Sequence, residues 1–231
     1  MKAIIEYIEQ GELTIIGGRP AMGKTTFALN LAQELTDQSQ SVLYCMLEMD
    51  MENAIQDYNY NGCFLMDCTP QQKVSEIQNI LQKQKAESCP ITTVIIDYLQ
   101  LMNAESKKRS REEEVLQLLQ DLKSMAIEEN ISIIATSQLG RSSELRKGGT
   151  PQVEDLGLSS CWEGIVDNVF LLYRPEYYGV YEDEIGETKN RLDVLIAYLR
   201  EKCSLTISYE FDKNRKKYIH GTFGTKYIST K

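Results

Sequence analysis

The sequence predicts an α/β fold with a mostly parallel central sheet flanked by helices. Short apolar runs of strand length alternate with longer amphipathic stretches through most of the 231 residues, the pattern of strand–helix–strand units. Several of those runs, such as Val94-Ile95-Ile96 and Ile131–Ile134, are continuous, as in strands covered on both faces. The end of the chain switches to apolar–polar alternation broken by a turn, which predicts an antiparallel C-terminal hairpin.

The strands are expected at Leu13–Ile16, Ser41–Met46, Thr92–Ile96, Ile131–Thr136, Asn168–Tyr173 and Leu192–Tyr198. Helical spacing marks Lys24–Leu35, Gln71–Ala86 and Ser110–Glu129; the last sets Val115, Leu118, Leu119, Leu122, Met125 and Ala126 on one stripe that packs on the sheet. Pro175–Asn190, rich in Tyr, Glu and Gly, reads as an exposed loop. The hairpin pairs Ser204–Glu210 with Lys217–Phe223 across a turn at Asp212–Arg215. With no internal repeat or low-complexity linker, residues 1–231 are expected to form a single domain.

Composition narrows the class. The six cysteines form no C-x-x-C pair, and His220 is the sole histidine, so a zinc site is not expected and the thiols read as buried and reduced. Met1–Gln10 mixes charges with apolar residues and no apolar run is long enough for a bilayer, which predicts a cytoplasmic protein without membrane contact. The formal net charge of -9 is the reverse of a nucleic-acid coat. Basic residues still gather at Lys107–Arg111, Arg141–Lys147 and Lys213–Lys217.

Gly18-Arg19-Pro20-Ala21-Met22-Gly23-Lys24-Thr25 fits G-x-x-x-x-G-K-[ST], with a strand before it and an amphipathic helix after it. That order brings backbone N–H groups and a helix N-terminus around phosphate oxygens. The whole segment Gly18–Thr26 is therefore a nucleotide-binding candidate. Lys24 is expected to reach the β- and γ-phosphates of ATP, and the Thr25 hydroxyl to ligate Mg²⁺. Asp97 ends the apolar run Val94-Ile95-Ile96, where a P-loop protein needs a carboxylate for the metal's water shell. Residue types alone do not separate ATP from GTP.

Several segments in order resemble DnaB-type replicative helicases, whose motor is a RecA-like P-loop ATPase. They are the loop GGRPAMGKTTFALNLA, Leu47-Glu48-Met49, the stretch Ile95–Met102 (IIDYLQLM) and Ser137–Ser142 (SQLGRS). The similarity runs from about Gly11 to Phe211. It implies that Glu48 activates the attacking water and that Gln138 senses the γ-phosphate and links it to DNA-binding loops. It also implies that Arg200 acts in trans as an arginine finger within a homo-hexamer. Single-stranded DNA is then the expected partner, contacted by Arg141, Arg146, Lys147, Lys107 and Arg109.

Four departures from that pattern stand out. The finger region reads Tyr198-Leu199-Arg200-Glu201-Lys202, with Tyr198 where the family has lysine. The segment between Glu48 and Asp97 is short. Gly157-Leu158, Trp162 and Gly164 replace the family's residues in the DNA-binding motif. An N-terminal domain and a linker helix are not expected. The reading is a compact ATP-dependent DNA helicase or translocase; the alternative is an ATPase of the same fold that regulates or loads a partner protein without unwinding.

Overall fold

The computed structural model describes residues 1–48, 60, 63–106, 108, 110–157, 160–198, 205–214, 216–220 and 226–227. In chain order the elements are α1 (Lys2–Ile5), β1 (Leu13–Gly18), α2 (Lys24–Asp37), β2 (Val42–Met46), β3 (Phe64–Asp67), α3 (Val74–Ala86), β4 (Thr93–Asp97), α4 (Arg111–Glu129), β5 (Ser132–Gln138), β6 (Asn168–Tyr173), the ribbon β7 (Glu182–Asp183) and β8 (Gly186–Glu187), β9 (Arg191–Tyr198), β10 (Leu205–Asp212), β11 (Lys217–His220) and β12 (Lys226–Tyr227). Short 3₁₀ turns join several of them.

The main sheet runs β11-β10-β9-β6-β1-β5-β4-β2-β3, with β12 also on β10. From β6 to β3 every pairing is parallel, whereas β9, β10 and β11 join antiparallel. Parallel neighbours need covered faces, and the sequence supplies the cover on both. Leu13, Ile15, Val94, Ile96, Ile133 and Ala135 point to one face, where α4 packs Leu118, Leu119, Leu122 and Met125. Ile16, Tyr44, Ile95, Ile134 and Phe170 point to the other, under Phe27, Leu31 and Leu35 of α2. The predicted α4 stripe is buried at all six positions.

Local chemistry fixes the helix ends. Ser110 caps α4 by accepting from the Glu113 N–H at 3.2 Å, and Glu112, Glu113 and Glu114 fill its first turn. Asn130 ends it in the left-handed conformation at φ 51°. Lys123 ties α4 to the N-terminal ends of the central strands β1 and β6: its ammonium donates to Asp167 Oδ2 at 2.6 Å and to the Gly11 carbonyl at 2.7 Å. The Leu13 N–H donates to the same carboxylate at 2.8 Å.

Two elements differ from the sequence expectation. β3 is an additional strand, whose four residues are only half-buried and carry no alternation. Residues 175–190 are more built than an exposed loop. Glu176 accepts from the Asn190 N–H, and the ribbon's Asp183 takes the buried Arg191 guanidinium in an ion pair. Among the described residues no helix is long and apolar enough to cross a membrane.

Candidate nucleotide site

The site forms where adjacent parallel strands release their C-terminal ends. β1 ends at Gly18 and sits between β5 and β6, so Gly18 lies level with Gln138 and Leu172. β4 ends at Asp97, level with Met46 of β2. Two glycines shape the loop, and the second is required by its backbone. A Cβ on Gly18 would stand 3.0 Å from Lys24 Cγ. Gly23 has φ +85°, and a Cβ there would lie 2.7 Å from the Tyr218 hydroxyl. Tyr218 of β11 thus closes over the start of α2.

A cleft of about 260 Å³ opens at these ends, lined by Pro20, Ala21, Gly23, Lys24, Thr25, Thr26, Glu48, Asp97, Tyr98 and Gln138. Five sequence-predicted side chains, Lys24, Thr25, Glu48, Asp97 and Gln138, therefore meet in one place. α2 begins there at Gly23 with no side-chain cap and no acidic residue in its first turn. Its first N–H groups and its dipole are open to an anion. Lys24 Nζ donates to the Gly18 and Arg19 carbonyls at 3.1 and 3.3 Å. Burial lowers the pKa of that ammonium, while Asp97 and Glu48 act to raise it.

Asp97 is buried at 3 % exposure. Its Oδ2 accepts from the Tyr44 hydroxyl at 3.1 Å and its Oδ1 from the Thr136 hydroxyl at 2.5 Å. Each carboxylate oxygen can accept a further hydrogen bond, as an outer partner of a hydrated divalent cation requires, and Asp97 lines the cleft. The Asp97–Tyr98 peptide bond is cis. Gln138 is exposed at the end of β5. Gln100 braces that end: its Nε2 donates to Ser137 Oγ at 2.9 Å, and its Oε1 accepts from the Gln138 N–H at 3.3 Å.

The other predicted contacts divide. Arg19 belongs to the loop, but its guanidinium turns out of the cleft. Nη1 donates to the Leu139 carbonyl at 2.8 Å and Nε to Glu144 Oε1 at 2.9 Å, with an ion pair through Nη2. Met22 is buried in the core beneath the loop. Arg141 and Lys147 are exposed on the short turns Arg141–Leu145 and Lys147–Gly149. Arg146 is held: it forms an ion pair with the buried Asp155 and donates to the Thr150 carbonyl at 3.1 Å. Lys107, Arg109 and Arg200 lie outside the described residues. Trp162, 5 % exposed, packs in the core, and Gly157 takes φ 64° after the turn Val153–Leu156.

Sequence reasoning gave no roles to Tyr44, Tyr98, Gln100 or Thr136. Tyr98 and Gln100 sit inside the motif that marked Asp97. Thr136 follows Ala135, whose partner across the sheet is Ile96, so register places it beside Asp97.

Comparison with known proteins identifies the same fold. Residues 1–61 and 51–220 match the model of the DnaB-like helicase C-terminal domain. The chain is 32% identical to the replicative DNA helicase DnaC of Bacillus subtilis, over 92% of this chain and 53% of that protein. It is 30% identical to the replicative DNA helicase DnaB of Geobacillus stearothermophilus, with the same coverage. The chain thus spans about half the length of these relatives. Among solved structures, a DnaB-like replicative helicase described with its interactions with primase superposes with TM-score 0.82 at 27% identity, covering 94% of this chain and 60% of that one. A second solved structure, an isolated ATPase domain, superposes with TM-score 0.81 at 28% identity, covering 92% of this chain and 85% of that one.

Proposed function

The chain belongs to the DnaB-like helicase C-terminal domain family, and from that premise we propose that it hydrolyses Mg-ATP to move along single-stranded DNA. The observation that carries this reading is the convergence of Lys24, Thr25, Glu48, Asp97 and Gln138 on one cleft at an uncapped helix start. The N–H groups of residues 23–26 and the Lys24 ammonium hold the phosphates. Thr25 and Asp97 would hold Mg²⁺, which when bound would supply charge neutralisation at the transferred phosphoryl group. Glu48 orients a water molecule and takes its proton. The Gln138 amide reads the γ-phosphate, and the Gln100 brace keeps it at the cleft mouth.

On this reading the exposed cations Arg141 and Lys147, with Lys107 and Arg109, contact the backbone of the strand. Arg146 shapes the loop through Asp155. Arg200 serves a neighbouring subunit's cleft in a hexamer, where a guanidinium neutralises developing charge. The test is displacement of a labelled strand from a forked duplex with Mg-ATP. Unwinding that stops with a non-hydrolysable analogue is expected. ATP hydrolysis without unwinding, and without stimulation by single-stranded DNA, would move the assignment to an ATPase that regulates or loads a partner protein.

A further inference from the structure

Arg19 is a cation of the phosphate loop that does not line the phosphate cleft. Its side chain, 12% exposed, is committed to the segment that follows β5. That segment touches the loop through three polar contacts. The Leu139 N–H donates to the Gly18 carbonyl at 3.3 Å. Arg19 Nη1 donates back to the Leu139 carbonyl at 2.8 Å. The Arg19 guanidinium reaches on to Glu144. Leu139 also fills the space above Gly17, where a Cβ would lie 2.9 Å from its Cδ2.

Glu144 lies in the turn Arg141–Leu145, between the two exposed cations Arg141 and Lys147. The far side of this region has its own anchor. Ser142 Oγ donates to Asp155 Oδ1 at 2.5 Å, Arg146 pairs with the same carboxylate, and the Tyr173 hydroxyl donates to the Gly148 carbonyl at 2.6 Å. The turn is therefore suspended between Asp155 and Arg19. Asp155 sits outside the cleft, whereas Arg19 is part of the phosphate loop itself.

We infer that the Arg19–Glu144 pair is a positioning link by which occupancy of the phosphate loop sets the placement of the cationic turn. It acts beside Gln138, and it rests on the proposed reading of the cleft as a nucleotide site. The main-chain carbonyl of Arg19 takes a hydrogen bond from Lys24 Nζ at 3.3 Å. A phosphate that draws the ammonium away leaves that carbonyl to the Met22 N–H, at 3.2 Å, and the same residue's side chain holds Glu144. A shift of the loop is thus handed to the turn by one residue. Coupling of this kind is a difference between two states, so it is read as a difference.

The experiment is hydrogen–deuterium exchange of residues 139–150, with and without a magnesium-bound non-hydrolysable ATP analogue, in wild type and Glu144→Gln. Wild-type exchange should change when the analogue binds. Glu144→Gln should markedly reduce that change, what remains being carried by Gln138 and Leu139, while affinity for a fluorescent analogue stays within about fivefold, the scale of one half-exposed ion pair. Ser142→Ala, which loosens the other anchor, should raise exchange equally in both states and preserve their difference. A merely structural Glu144 would behave like Ser142, and that result overturns the link. Failure of the wild type to bind the analogue would instead overturn the nucleotide reading beneath it.

Discussion

Two lysines show how differently one residue type is used at the two ends of the central strands. Lys123 is closed on itself, with its ammonium shared between the buried Asp167 and a carbonyl. Lys24 donates to two carbonyls of its own loop, and the carboxylates Glu48 and Asp97 line the same cleft. The helix starts repeat the contrast. α4 begins under a serine cap with three glutamates in its first turn, while α2 begins bare. Where the polar groups are saturated the fold gains stability; where they are left open at strand ends, a ligand completes them. Open groups should therefore govern chemistry, and closed ones stability.

The largest effect is expected from opening the cleft further. Lys24→Ala should lower phosphate release by about 10³-fold, the scale of losing one preorganised charge at a phosphoryl group. Its melting temperature should stay near wild type, and a large drop there would break the contrast. Lys123→Met should do the reverse. It takes the cation from a buried carboxylate and should cost roughly 3 kcal/mol in denaturant unfolding, with nucleotide affinity retained in the folded fraction.

A pH titration sharpens the picture for the loop anchor. Burial pushes the Asp155 pKa up, but hydrogen bonds from Ser142, the Gln152 N–H and Arg146 together outweigh it and hold the carboxyl below its ordinary value. A depressed carboxylate adds stability that is present above its unfolded value, about 4, and is lost as pH falls through the lower folded value. Protease sensitivity of residues 141–150 should rise across that acidic window in wild type and lose its pH dependence in Asp155→Asn. The smallest effect belongs to the cap: Ser110→Ala should cost about 1 kcal/mol of stability and leave phosphate release unchanged.

Much of the fold and of the cleft is legible in the sequence. The six predicted strands are present, because continuous apolar runs have no other place in a chain this polar. The glycine-and-lysine loop announced the cleft, and Asp97 followed from an apolar run ending in a carboxylate. The cations were harder to read. Arg19, Arg141 and Arg146 look alike in sequence, yet Arg19 finds Glu144 125 positions away and Arg146 finds Asp155. Such pairs are set by which loops leave neighbouring strands, and the chain's order does not display that. β3 escaped for a related reason: an edge strand half in solvent needs no distinctive pattern.

The central claim is that the cleft is a catalytic nucleotide site whose water is activated by Glu48. Measuring analogue binding and phosphate release side by side in wild type and Glu48→Gln tests it most directly. The account predicts unchanged binding and a loss of release of about 10²- to 10⁴-fold, the range for removing a general base. Release at the wild-type rate, with binding intact, would contradict it.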